Sequence, residues 1–185
     1  MWPYLLLSLV VSEPPKTPVH NQARRSVMED LSCKAVNDAY VATFSTPRVT
    51  VKTYYSRADG SMKLHDEARY SELGLYEKLA VSNQWLRRYR GSIDTVDSRG
   101  PIFTSCKLMQ ATATESSDLL HYSATWNSFP NPAAYEVWIS AYSTRAMKTV
   151  RDYSLTNFPF RTVVEVFDYD PQDALPPNGL SLPKS

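Results

Sequence analysis

Three guanidinium groups fall within four residues at Arg87, Arg88 and Arg90, interleaved with the rings of Trp85 and Tyr89. Asp97-Ser98-Arg99-Gly100-Pro101 marks a turn shortly beyond them. Cations that close repel one another unless an anion is near, and the guanidinium fork matches the paired oxygens of phosphate and carboxylate. The segment is therefore expected to meet a lipid headgroup, a phosphate or an acidic protein. The plainer alternative is a helix end, where each cation offsets the macrodipole by about 0.3–1 kcal/mol. A second basic pair, Arg24 and Arg25, closes a Pro-rich stretch. An apolar tip ahead of it carries Trp2, Leu5, Leu6 and Leu7, residues suited to a membrane or a neighbouring subunit.

Other chemistry is sparse. The chain has no G-x-x-x-x-G-K-[ST], G-x-G-x-x-G, H-E-x-x-H or G-x-S-x-G pattern, and 5 glycines give little from which to build a phosphate-cradling loop. His20, His65 and His121 are far apart, and only His65 has a carboxylate beside it, Asp66. That pair reads as a solvated helix start rather than a metal ligand set. Asp168, Asp170 and Asp173 lack the central glycine and terminal glutamate of a calcium loop and read as an acidic turn. The sequence thus assigns no catalytic residue, metal or cofactor, and leans away from an enzyme.

The elements that must carry these residues follow from hydrophobic period. Val49, Val51, Thr53 and Tyr55 alternate with polar positions and predict a half-buried strand. Asp59-Gly60 is a turn signal, pairing 49–57 with 61–64 as a hairpin. Residues 102–114 and 119–126 predict a second hairpin, and Tyr135, Val137 and Ile139 together with 160–167 predict further strands. Ala68, Leu75, Leu79 and Leu86 recur at helical spacing, with acids early and arginines late, so the principal helix is placed at about 65–90. A shorter helix at about 145–155 would bury Met147 and Val150. The fold class is α+β: an antiparallel sheet covered by one main helix.

Length and composition bound the rest. The 185 residues suit one domain at 27–169, with an apolar tip and Pro-rich tail at 1–26 and a Pro-rich tail at 170–185, a strap or loose end. A domain of that size buries roughly 70% of its unfolded surface, enough to need no staple. Net charge is +1, which argues against a nucleic-acid binder, and tyrosines number 12, a count that suits half-buried strands and contact surfaces. Cys33 and Cys106 are expected as buried thiols, with one bridge as the alternative. Residues 1–11 have the length of a signal-peptide core but lack a preceding cation and a good cleavage site. A docking tip and a packed core element remain as alternatives to a signal there.

Trp85-Leu86-Arg87-Arg88, then Asp97-Ser98-Arg99-Gly100-Pro101, then Tyr122-Ser123 with Thr125-Trp126 occur in an order that resembles the matrix proteins of rhabdoviruses, lyssaviruses in particular. The matches span about 40 of the 185 residues. The late motifs usual in that family are missing apart from the loose Y-x-x-L form at Tyr4-Leu5-Leu6-Leu7, and the stretch between Pro101 and Tyr122 is longer than in that family. The resemblance implies a non-enzymatic structural protein of the virion and host cytoplasm, peripheral to the membrane. Arg24, Arg25, Trp85, Arg87, Arg88, Tyr89 and Arg90 would then face an anionic membrane surface or the nucleocapsid protein, with self-association and no sequence-specific nucleic acid. Two competing readings are a secreted, Tyr-rich β protein binding a small ligand or a protein, and a small enzyme with its site under the helix.

Overall fold

The computed structural model describes residues 29–57, 59–110, 116–128, 130–153 and 158–177. The apolar tip (Trp2, Leu5, Leu6, Leu7) and the pair Arg24 and Arg25 lie outside them.

The domain is α+β, as the alternating runs require. A 3-10 turn at Leu31–Cys33 leads into helix α1, Lys34–Ser45, and among the described residues only strands follow. They are β1 (Val49–Ser56), β2 (Met62–Ser71), β3 (Gly74–Leu79), β4 (Trp85–Arg88), β5 (Val96–Asp97), β6 (Gly100–Pro101), β7 (Phe103–Leu108), β8 (Leu119–Trp126), β9 (Ala133–Ser140), β10 (Ala146–Asp152) and β11 (Thr162–Asp168). Nine of them form one antiparallel sheet in the order β4-β3-β2-β1-β11-β10-β9-β8-β7, and β5 pairs with β6 separately. The β1–β2 and β7–β8 hairpins and the strands at β9 and β11 stand where the sequence alternation put them.

The helix does not stand where it was expected. Residues 65–90 are β2, β3 and β4 rather than one helix. Ala68, Leu75 and Glu77 share one face of the sheet through the register pairs Ala68↔Glu77 and Tyr70↔Leu75, and the two-residue turn at Glu72-Leu73 shifts the apparent spacing to one that imitates 3.6. Gly74 (φ +135°) and Asn83 (φ +50°) occupy backbone regions that no helix interior allows. Where the second helix was expected, at about 145–155, the described residues form β10, Ala146–Asp152. A bulge between Ala146 and Lys148 inserts one residue, so the buried positions Ala146, Thr149 and Tyr153 fall at helical intervals along an extended strand. Met147 and Val150 are only half-buried.

α1 presents Val36, Ala39, Tyr40, Thr43 and Phe44 to one face of the sheet, here called inner. Tyr40 meets Phe103 at 5.5 Å between ring centroids, and Phe44 meets Tyr70 at 5.4 Å and Phe167 at 5.9 Å. The buried Thr43 hydroxyl accepts from the Ala146 amide (2.8 Å) and the Tyr169 hydroxyl (3.2 Å), pinning the helix to β10. On the outer face the segment 170–177 runs as a strap. Ala174 is buried, and Arg69 donates to the Leu175 carbonyl at 3.2 Å.

Cys33 and Cys106 are bridged, which replaces the expectation of two thiols. The cause is a bulge in β7 between Thr104 and Lys107, with Ser105 at φ +57°, which turns Cys106 inward on the same face as Phe103. Asp30 and Ser32 hold that bulge: the Ser105 amide donates to Asp30 Oδ2 (2.9 Å) and the Cys106 amide to Ser32 Oγ (3.2 Å). The bridge closes a loop with a sequence separation of 73, for which lost chain entropy predicts about 4 kcal/mol of stabilisation. Cys106→Ser should lower unfolding free energy by about 2–4 kcal/mol in urea titration. Dithiothreitol should destabilise the parent by a similar amount and leave the variant unchanged.

Candidate functional site: a polar row on the inner face

A helix about 10 Å across cannot cover nine strands spaced about 4.8 Å apart. α1 covers β7 to β10 and the near ends of β1 and β11, and the inner surface of β1, β2, β3 and β11 beyond Phe44 is left to its own side chains. Two apolar clusters flank that surface. One is centred on the helix, and the other comprises Ala133, Tyr153 and Val163 with Tyr55, Phe158 and Phe160.

Between them the inner face turns polar. The register pairs Thr53↔Asp66, Thr53↔Glu165 and Thr149↔Glu165 set Asp66, Thr53, Glu165 and Thr149 side by side across four strands. Arg151, one step along β10, is paired with Glu165, which also accepts from the Thr149 hydroxyl at 2.9 Å. The Arg151 guanidinium lies 5.2 Å over the Trp126 ring. Burial is the largest single influence and opposes its charge, but Glu165, Tyr153 and Tyr135 together raise its pKa. The described residues contain four buried side-chain atoms without a hydrogen-bond partner, on Asn37, Thr50 and Arg151, and Arg151 is also among the residues that line the cavity described next.

The cavity measures about 270 Å³ and is lined by Phe44, Thr53, Tyr55, Asp66, Tyr70 and Glu77 together with Arg151, Tyr153, Phe158 and Glu165. A second chamber of about 150 Å³ shares Phe44, Arg151 and Glu165 with it and reaches Tyr40, Trp126 and Tyr135. Burial raises the pKa of the Tyr40, Tyr55, Tyr70 and Tyr135 phenols, so all four stay neutral donors. Asp66 differs from the other carboxylates. Glu165 has Arg151, and Glu77 has Arg88 at 2.9 Å. Asp66, with a side chain only 15% exposed, has the Thr53 hydroxyl and, at 4.0 Å, the ring of His65. Burial raises its pKa above the ordinary carboxylate value, and Glu77 and Glu165 add to that rise. His65 stacks on Tyr55 at 4.2 Å, so the pair read as a solvated helix start is instead the rim of this cavity.

The arginine segment has a different part. Trp85, Arg87 and Arg88 lie on the edge strand β4, and Tyr89 and Arg90 follow it, so none belongs to a helix end of its own. Arg87 donates to the Leu73 carbonyl at 2.8 Å across the β3–β4 pair, passing over Gly74, where a Cβ would meet its Nε at 3.2 Å. Arg88 pairs with Glu77. Arg90 donates to the carbonyls of Phe44 and, at 3.3 Å, Thr46, so it caps the end of α1 rather than of a helix containing it. Trp85 is half-buried under Arg69 (4.5 Å) and Lys78 (5.0 Å), and only Tyr89, 91% exposed, projects freely. All three guanidiniums expected to seek an outside anion thus have partners inside the chain.

From the sequence Asp66 reads only as part of a solvated helix start, and Arg151 and Glu165 are passed over. The available signal was polar residues at inward positions of strands: Thr53 and Asp66 in the first hairpin, Glu165 within Thr162–Asp168. No group of three metal-binding side chains occurs among the described residues, and none of their helices is long and apolar enough to cross a membrane. No protein-family model matches the chain, and no curated protein matches it.

A carboxylate whose folded pKa is raised stabilises the fold below its unfolded pKa and withdraws that support as pH rises through the folded value. Asp66→Asn, which keeps the shape and removes the charge, should therefore raise Tm at pH 7. The gain should shrink as pH falls through the raised folded value and vanish by the ordinary carboxylate value near 4, read by thermal unfolding of both proteins from about pH 8 down to about pH 3.5.

Proposed function

We propose that the protein binds a small organic molecule in the inner-face cavity, as a non-enzymatic binding protein rather than a catalyst. The observation that carries this reading is the polar row itself. A buried ion pair is on average no more stabilising than apolar packing of the same volume, and an orphaned donor costs about 1–3 kcal/mol. A chain that keeps Arg151, Glu165 and Asp66 where Val and Leu would close the core gives up stability at a hollow shaped to receive something. Convergent polar groups within aromatic walls are the usual make-up of a ligand site. The Cys33–Cys106 bridge supports a protein that works in an oxidising compartment, in keeping with secretion.

A ligand at a hundred times its Kd stabilises the fold by about 2.7 kcal/mol, or roughly 5–10 °C in Tm for a domain of this size. A thermal-shift screen of small polar aromatics should find compounds that do so for the parent. The same compounds should fail with Ala68→Trp, whose indole fills the cavity, once circular dichroism shows that variant folded. A screen without hits, or an equal response in the filled variant, would overturn the reading.

A second reading, the membrane- or nucleocapsid-facing structural protein that the Trp85–Trp126 segments resemble, draws support from the outer face. Cross-strand register aligns Trp85, Lys78, Glu67, Lys52, Val166, Lys148, Trp138 and His121 in one row. Lys148 sits 4.6 Å over Trp138, and Lys52 and Lys148 are exposed. Such cations attract an anionic bilayer by about 1 kcal/mol each. On this reading the chain floats with phosphatidylserine vesicles, and Lys52→Glu with Lys148→Glu abolishes flotation. Undiminished flotation of the double variant would remove this face from the account.

A further inference from the structure

We infer that the ligand of the inner-face cavity is an organic cation, an arylalkylamine whose ammonium group pairs with the Asp66 carboxylate. The inference rests on the cavity reading above and adds the charge and class of the occupant.

The charge count around the hollow decides the sign. β1 contributes Thr53 and Tyr55, β2 contributes Asp66, β3 contributes Glu77, β10 contributes Arg151 and β11 contributes Glu165. Three carboxylates therefore face one guanidinium. That guanidinium is committed to Glu165, and Glu77 is turned to Arg88 at the edge. The carboxylate left over is Asp66, whose one basic neighbour is the His65 ring of its own strand at 4.0 Å. A buried carboxylate without a full cation either takes up a proton or meets a positive group from outside. An anionic ligand would face Asp66 and Glu77 with no unspent cation to receive it. A metal ion would find one carboxylate not already paired with an arginine and a threonine hydroxyl, too few hard ligands to replace its water.

The walls fix the rest of the molecule. Phe44, Tyr55, Tyr70, Tyr153 and Phe158 line the same space, so the surface around Asp66 is aromatic. Ring faces attract ammonium groups and pack against another ring edge-on or offset, which favours an aryl body over a plain alkyl chain. A volume of about 270 Å³ holds one substituted ring with a short side arm.

The test holds shape constant and varies charge. Isothermal titration calorimetry of the full chain at pH 7 uses a set of arylethylamines, tyramine among them, each with its matched alcohol and its matched arylacetate. The expected order is amine, alcohol, carboxylate, with the amine bound at least roughly tenfold tighter than the alcohol, as a charged hydrogen-bonded pair requires. Asp66→Asn should bring each amine down to its alcohol, whereas Asp38→Asn, on the outer side of α1, should bind as the parent does. Asp66→Ser serves as a second removal of the charge should Asp66→Asn fold poorly. Alcohols that bind the parent but not Ala68→Trp, with no advantage for the amines, would overturn the assignment of charge and leave the cavity reading standing. Amines that bind Asp66→Asn undiminished would overturn it equally. Failure of all three series to bind the parent would remove both.

Discussion

The fit of one narrow helix to a broad sheet governs this molecule. Twelve residues of α1 give about 18 Å of cylinder, and the sheet they rest on is roughly 40 Å across its strands. Where the helix lies, the inner face is ordinary core: Val36, Val49, Val137, Phe103 and Phe167 are buried against one another. Where it stops, at Phe44, the strands must cover themselves or stay open. They do some of each, through the stacked rings of Tyr55 and Phe160 on one flank and a hollow beside them. The devices that hold α1 in place, the Cys33 bridge, the Thr43 hydroxyl and the Arg90 cap, therefore also set where the hollow begins.

The hollow is lined at a cost to the fold. Arg151 and Glu165 neutralise each other, but Arg151 Nε has no acceptor and Asp66 is pressed into a site that resists its charge. Such tension is expected where side chains answer to something other than packing. The arginine cluster shows the reverse case. Its charges look surplus when counted along the chain, yet Leu73, Glu77, Phe44 and Thr46 each take a share of them within the fold.

The sequence conveyed the sheet well and the helix badly, for one reason. Alternation in Val49–Ser56, Ala133–Ser140 and Thr162–Asp168 is a local signal that a half-buried strand must carry. The helical period is also local, but a hairpin or a bulge can counterfeit it. The turn at Glu72-Leu73 did so for residues 65–90, and the inserted residue near Met147 did so for 145–155. The true helix carries Val36, Ala39, Tyr40, Thr43 and Phe44 at the right intervals, masked by β-branched and aromatic residues of weak helix propensity. The site was less legible still. Asp66 and Glu165 are 99 positions apart in the chain, and nothing short of register brings them to either side of Thr53. The bridge escaped for the same cause, since a bulge at Ser105 decides which way Cys106 points.

The strand order carries one more consequence. β1 to β4 form one meander and β7 to β11 another, and within the sheet the two are joined where β1 meets β11, partners more than a hundred residues apart. The polar row is cut by that seam: Thr53 and Asp66 belong to the early meander, and Glu165, Thr149 and Arg151 to the late one. Each half can assemble from neighbouring hairpins, but joining them must wait for a long closure. By that argument the hollow would be among the last features to form as the chain folds, and a molecule touching both halves would act as a clasp on the join.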